Sequence, residues 1–184
     1  LLIGGQSLTL RDTTPADMPD VLGLHHRVFG TAVDEQWFHW KYNLGCGEGV
    51  GAWHDGRLVA HCGGFPRHVW HGHVRKHDLQ IGDVMVDPQW RGILTRQGPF
   101  FHVSNQLYET RLGREKRFHV GFGFPNARAL RLGVRSGLSW DTGQVLALQW
   151  EGPSKITQGA TAGLSRFFWR VSHLSAQSPA FDAI

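Results

Sequence analysis

The 184 residues include 41% hydrophobic and 18% charged side chains, enough apolar material for one globular core and too little charge for a disordered chain. No apolar run approaches the roughly 18 residues of a membrane-spanning helix, the first ten residues are too short and too poor in cations for a secretory leader, and collagen-like or coiled-coil repeats are absent. Two cysteines, Cys46 and Cys62, without zinc-ribbon spacing argue against a disulfide scaffold and for reduced thiols in a cytoplasmic protein. The net charge of +4 is unevenly spread: residues 1–90 hold seven basic and ten acidic groups, residues 91–135 nine and two, and residues 136–184 three of each. A segment at +7 attracts phosphate.

Residues 8–11 read as a strand. Thr14-Pro15-Ala16-Asp17 sets a threonine cap, a proline at the first helical position and an acid at the third, which starts a helix. Val21, Leu22, His25, Val28 and Phe29 face inward on it, and Gly30 ends it. A second helix opens at Asp34 or Glu35 and places Trp37, Phe38, Trp40 and Tyr42 in the core. Asp55-Gly56 predicts a type I′ hairpin between strands at 49–54 and 57–65. An extended stretch at 67–70, a turn at His71-Gly72-His73 and a return over 74–86 continue the antiparallel sheet. Phe100, Val103 and Leu107 predict a helix over 99–112, residues 118–124 a strand, and 126–136 a helix closed by Gly137. Residues 145–150 read as a last strand, 152–163 as a Gly/Ser/Thr/Pro-rich linker and 164–174 as a helix.

This order indicates an α/β (α+β) domain over residues 1–151, with a mixed, largely antiparallel central sheet flanked by helices. Residues 152–184 form a linker and C-terminal helix that complete the domain or lead into further sequence. Leu1 is not a methionine, so the chain is expected to be part of a longer protein.

The stretch richest in chemistry runs Ile81-Gly82-Asp83-Val84-Met85-Val86-Asp87-Pro88-Gln89-Trp90-Arg91-Gly92 and on to Gln97-Gly98-Pro99-Phe100. A strand feeding an Arg/Gly loop and then a proline-first helix turns unpaired N–H groups and the positive helix end toward the loop, which suits phosphate. This stretch resembles the GNAT N-acetyltransferase superfamily, whose core strand ends in Val-x-Pro and leads to an Arg-Gly-x-Gly-containing loop around the pyrophosphate of coenzyme A. Asn126, Ala129, Gly133, Gly137 and Leu138 keep the spacing of the family's second block, with Gly133 where the family has a catalytic tyrosine. Trp37, Trp40-Lys41-Tyr42 and the Asp55-Gly56 hairpin add to a resemblance that covers residues 8–150. Arg91 lies seven residues before Gly98 where three are usual, so 93–96 reads as an insertion before the helix entrance at Gln97. The register Gln89-Trp90-Arg91-Gly92-Ile93-Leu94 is the alternative.

The resemblance implies an enzyme that passes the acetyl or acyl group of acetyl-CoA to an amine by direct attack, without a metal. It assigns Val84, Met85 and Val86 to polarising the thioester carbonyl through main-chain N–H groups. Arg91, Gly92, Arg96, Gln97, Gly98, Pro99 and Phe100 fall to the phosphates, and Asn126 and Ala129 to the cofactor at the second block. The attacking amine needs a general base, for which Asp83 leads, followed by Glu48, His61 and His77. Arg128, Arg131 and Arg135 share one helix face, and Arg111, Arg114, Lys116 and Arg117 follow the preceding helix. The acceptor is a small-molecule or peptide amine, no membrane partner is expected, and a homodimer is left open. Gly133 keeps a second reading in play, a catalytically weakened acyl-CoA-binding or assembly module. A nucleic-acid-binding domain is a third reading, and without a recognition-helix motif no nucleic-acid partner is expected. His68, His71, His73 and His77 crowd one hairpin but lack the four-ligand set of a structural zinc, so no metal is expected and acceptor recognition is their assigned role.

Overall fold

A computed structural model describes residues 1–92 and 97–143. The expected strand at 145–150, the linker, the helix at 164–174, the boundary at 151 and the insertion with Arg96 lie outside the described residues. A small hairpin, β1 (Leu2–Ile3) and β2 (Gln6–Ser7), opens the chain, followed by β3 (Thr9–Asp12). The expected strand at 8–11 is thus shifted by one residue, and Gly4-Gly5, both at positive φ, is the hairpin signal that the pattern of apolar residues hides.

The capping sequence does what its chemistry demands. The Asp17 carboxylate accepts from the Thr14 N–H at 2.8 Å and its hydroxyl at 2.9 Å, and takes two bonds from Arg11 at 2.8 and 2.7 Å. The Arg11 guanidinium holds the Asp17 carboxyl far below the usual carboxylate range despite its burial. A 3-10 turn at Pro15–Asp17 then launches α1 (Met18–Phe29), which Gly30 ends in the left-handed conformation. The short α2 (Glu35–Phe38) is capped by the Asp34 carboxylate and runs into a π-helical stretch, His39–Leu44. The extra residue in a π turn rotates the side chains beyond it about the helix axis. Trp40, expected in the core, is 62% exposed, and Tyr42 turns inward onto Phe38 at 4.7 Å. Phe29 is likewise corrected: on the last turn of α1 it is 53% exposed and rests on His25.

β4 (Glu48–His54), β5 (Arg57–His71) and β6 (Val74–Val86) form an antiparallel meander, the first turn being Asp55-Gly56 with both residues at positive φ. The stretches expected at 57–65 and 67–70 are one strand. After a 3-10 turn at Pro88–Trp90, α3 (Pro99–Arg111) precedes β7 (Gly121–Gly123) and α4 (Ala127–Ser136). The strand expected at 118–124 contracts to these three residues, with a single bridge from Phe118 to Leu112. The sheet order is β3-β4-β5-β6-β7, antiparallel except for the β6–β7 pair.

Each face of the sheet carries its own core. Val50, Ala60, Cys62 and Leu79 pack with Val103 and Leu107 of α3 and with Phe118, whereas Leu58 and Met85 pack with Val21 and Leu24 of α1 and with Phe38. At about 1.5–3 kcal/mol for each fully buried large aliphatic side chain, these two layers clamp β5 and β6 between helices and fix the strands that carry the site. Among the described residues no helix is long and apolar enough to cross a membrane.

Candidate active site

Pairing between β5 and β6 runs from Gly63–Gly82 to His61–Met85, so Asp83 and Val84 together face the single residue Cys62. This is a β-bulge, and Asp83 sits in it at φ +49°. Aspartate tolerates that left-handed conformation better than most residues. Beyond the bulge the Asp87 N–H donates to the Val59 carbonyl at 2.8 Å. By the alternation of an antiparallel ladder, Met85 and Asp87 turn their main-chain groups toward β5, and Val84 and Val86 turn theirs to the opposite edge. On that edge β7 pairs only with Leu79, Gln80 and Ile81. Among the described residues no strand meets the N–H groups of Val84 and Val86. Met85, expected to share their role, instead faces β5 with its main chain and is fully buried in the α1 core.

Three side chains converge on Asp83. Lys41 Nζ lies 2.6 Å from Oδ1, and the Tyr42 hydroxyl donates to Oδ2 at 2.9 Å. These neighbours in sequence, both on the π-helical stretch, reach the two oxygens of one carboxylate. Lys41 Nζ also stands 4.5 Å from the Trp37 ring and 4.9 Å from the Phe65 ring, a cation–π enclosure that immobilises it. Burial foremost, and then the Asp83 charge and hydrogen bond, push the Tyr42 phenol well above its ordinary value, so it stays protonated and donates. Gly63 makes room for it, since a Cβ there would come within 2.8 Å of the hydroxyl. The third neighbour is His61, whose Nδ1 lies 2.9 Å from the Asp83 carbonyl oxygen.

The entrance to α3 is a helix N-terminus without a side-chain cap. Gly98 is extended at φ −86° and ψ 159°, Pro99 is the first residue of α3, and the first helical bond runs from His102 N–H to the Gly98 carbonyl. The N–H groups of Phe100 and Phe101 therefore have no partner within the helix and point out of its positive end.

A family model described as an acetyltransferase (GNAT) domain matches residues 9–127. The chain belongs to this GNAT acetyltransferase family. No curated protein matches the sequence significantly. Solved structures share the fold: a Trypanosoma brucei acetyltransferase at 18% identity and TM-score 0.59, covering 78% of this chain and 100% of that one; an aminoglycoside acetyltransferase from an uncultured soil metagenome at 17% and 0.55, covering 80% and 97%; and a predicted acetyltransferase of Clostridium acetobutylicum solved with acetyl-CoA at 14% and 0.58, covering 78% and 96%.

Several residues that the sequence nominated for the GNAT site are engaged elsewhere. Both oxygens of Glu48 are taken at 2.6 Å, by Arg111 and Arg117, and Arg111 also reaches Asp12 at 2.5 Å. This network fastens the end of α3 to β3 and β4, so Glu48→Gln is expected to lower the melting temperature by a few degrees and leave the transfer rate per folded molecule unchanged. Arg91 gives its Nε to the Val86 carbonyl at 2.9 Å and reaches the Val28 carbonyl at 3.5 Å, so it tethers the end of β6 to α1 rather than reaching freely toward phosphate. Asn126 caps α4, its Oδ1 accepting from the N–H groups of Arg128 and Ala129 at 3.1 and 3.0 Å. His71 is bonded to Asp78 at 2.6 Å and His68 stacks edge-on against His77 at 4.0 Å, all on the end of the β5–β6 hairpin that extends past the pairing with β4. Among the described residues no group of three or more His, Cys, Asp or Glu is placed to hold a metal ion. Burial pushes the Cys62 thiol up to about 12, which makes it inert as a nucleophile.

His61 is fully buried, and burial is the main cause that holds it below its ordinary 6.5, against the opposing bond to Asp83. Above pH 6.5 the ring is neutral folded or unfolded; below it the unfolded chain takes up a proton that the folded chain refuses. Stability is therefore expected to fall as pH drops below about 6.5, and melting curves of His61→Asn between pH 7 and 5 should fall less steeply than those of the parent.

Proposed function

We propose that the chain is an N-acetyltransferase that moves an acetyl group from acetyl-CoA to an amine of a small-molecule or peptide acceptor. The observation that carries this reading is the Asp83 bulge on β6, which sets a carboxylate next in sequence to main-chain donors that meet no strand among the described residues. Bound acetyl-CoA supplies the thioester that the amine attacks. The N–H groups of Val84 and Val86 fit the thioester oxygen, stabilising the negative charge that develops on it. The N–H groups of Phe100 and Phe101 at the positive end of α3 suit the pyrophosphate. Asp83 keeps lone pairs beyond those taken by Lys41 and Tyr42 and holds the proton given up by the amine, directly or through one water.

No tyrosine serves as acid to the leaving thiolate on this reading. Gly133 is buried, and a Cβ there would come within 2.5 Å of Ser139 Oγ. Tyr42 is committed to Asp83, and burial raises the Tyr108 phenol. The same Gly133 favours a second reading, a domain that binds acyl-CoA with little or no turnover.

The two are separated by titrating acetyl-CoA in a calorimeter and following thiol release with an amine panel that includes an amino sugar, in view of the aminoglycoside acetyltransferase above, a simple alkylamine and a peptide with a free N-terminus. Binding with acceptor-dependent thiol release is the expected result. Binding without release selects the module, and absence of binding overturns both.

A further inference from the structure

We propose that His61 is a positioning residue of the acyl-transfer site, whose Nδ1–H holds the bulge that aims the Asp83 carboxylate and the Val84 N–H. The proposal rests on the roles given above to those two groups. A residue in the left-handed conformation turns its carbonyl out of the ladder, and a buried carbonyl without a partner is costly. For Asp83 the partner is His61 Nδ1, at 2.9 Å. A carbonyl oxygen only accepts, so Nδ1 carries the proton and Nε2 is left with a bare lone pair.

That lone pair has no partner among the described residues, and the ring is fully buried. Nε2 presses against Gly49, where an added Cβ would collide with it and with Thr13 Oγ1. The Tyr42 ring meets the imidazole edge-on, with centroids 5.9 Å apart. A leucine on β5 would pack into an apolar layer without an orphaned acceptor. What the imidazole adds at this place is the donor on Nδ1, and that donor is spent on the backbone of the one residue whose side chain bonds Lys41 and Tyr42. Without it Asp83 relaxes toward extended backbone. Because side chains alternate along a strand, the relaxation carries the carboxylate away from Lys41 and Tyr42 and turns the Val84 N–H off the open edge.

Asparagine places an amide N–H close to the position of Nδ1, whereas leucine removes the donor. His61→Leu is therefore expected to lower kcat roughly ten- to a hundredfold while the Kd for acetyl-CoA, which loses only the Val84 N–H contact, rises no more than about fivefold, and His61→Asn to recover most of the loss. The amide resonances of Asp83 and Val84 and the three-bond HN–Hα coupling of Asp83 should move in His61→Leu and return toward the parent in His61→Asn. Gly49→Ala, which displaces the ring without removing it, should shift the same resonances. Unmoved Asp83 and Val84 signals in His61→Leu, or an equal loss of kcat in the leucine and asparagine variants, overturn the proposal. The resonances report on His61 whether or not transfer occurs. Equal activity of Asp83→Asn and the parent, by contrast, sinks the role of Asp83 as base and leaves the backbone comparison to decide the role of His61.

Discussion

Asp83→Asn is expected to lower kcat/KM for amine acetylation by about 10²–10⁴ at neutral pH, the range that a positioned general base contributes. The asparagine keeps the size of the side chain and one oxygen that accepts from Lys41 or Tyr42, so the bulge and the two flanking cores remain. It loses the capacity to hold the proton that the acceptor amine must give up. Affinity for acetyl-CoA, which the proposed function draws from the α3 N-terminus and the Val84 edge, should change less than about threefold, and this split between chemistry and binding identifies the base. Thiol release measures the first quantity and calorimetry the second. The ion pair with Lys41, with the Asp83 side chain 11% exposed, also admits a purely structural role. On that role Lys41→Met and Asp83→Asn lower the melting temperature together and leave the rate per folded molecule within about threefold of the parent.

How much of this was legible in the sequence differs from element to element. The Asp55-Gly56 turn, the Thr14-Pro15 helix start and the Asn126 to Gly137 helix were readable because each is decided by local chemistry: two residues that accept positive φ, a cap with its acid three residues on, and an asparagine cap with a glycine stop. The family was legible for a related reason, since the strand-to-helix loop at 81–100 depends on a short ordered set of glycines, a proline and an arginine. The π-helical stretch at 39–44 was not, because a one-residue insertion in a helix leaves no composition signal, and it put Trp40 outside while Tyr42 stayed inward as expected. Asp83 was named from its place on the core strand. Its partners were not, because Lys41 and Tyr42 lie about forty residues earlier and meet it only where the π-helical stretch packs on β5 and β6. Glu48 and Arg91 had suitable chemistry for the site, but their partners Arg111, Arg117 and the Val86 carbonyl are long-range or main-chain and leave no motif. The glycines at 63 and 82 were the available clue, since facing glycines on paired strands mark a place where another side chain approaches the backbone closely.

Asp87→Asn is expected to give the largest loss of stability, about 2–4 kcal/mol at pH 7, or roughly 5–12 °C in melting temperature. Asp87 is 2% exposed and directly follows the strand end that carries Val84 and Val86. One of its oxygens accepts from Arg27 Nε at 2.7 Å and from Arg57 at 2.9 Å, and the other accepts from the Gln89 N–H at 3.1 Å. Arg27 continues to the Leu58 carbonyl at 2.7 Å, so a single carboxylate ties α1, the β4–β5 turn and the loop leaving β6. Arg27 and Arg57 keep partial access to water, which holds the expected cost below that of a fully buried pair. Burial alone would raise the Asp87 carboxyl, but the bonds from Arg27, Gln89 and Arg57 together outweigh it and hold it below the ordinary 3.8. The stability that this carboxylate contributes is therefore complete above pH 3.8 and lost as pH falls through the lower folded value. The gap in melting temperature between Asp87→Asn and the parent should narrow toward zero in strong acid, where both side chains are neutral. A gap that stays constant with pH would assign the effect to packing and remove the charged clasp from the account of how the end of β6 is held in place.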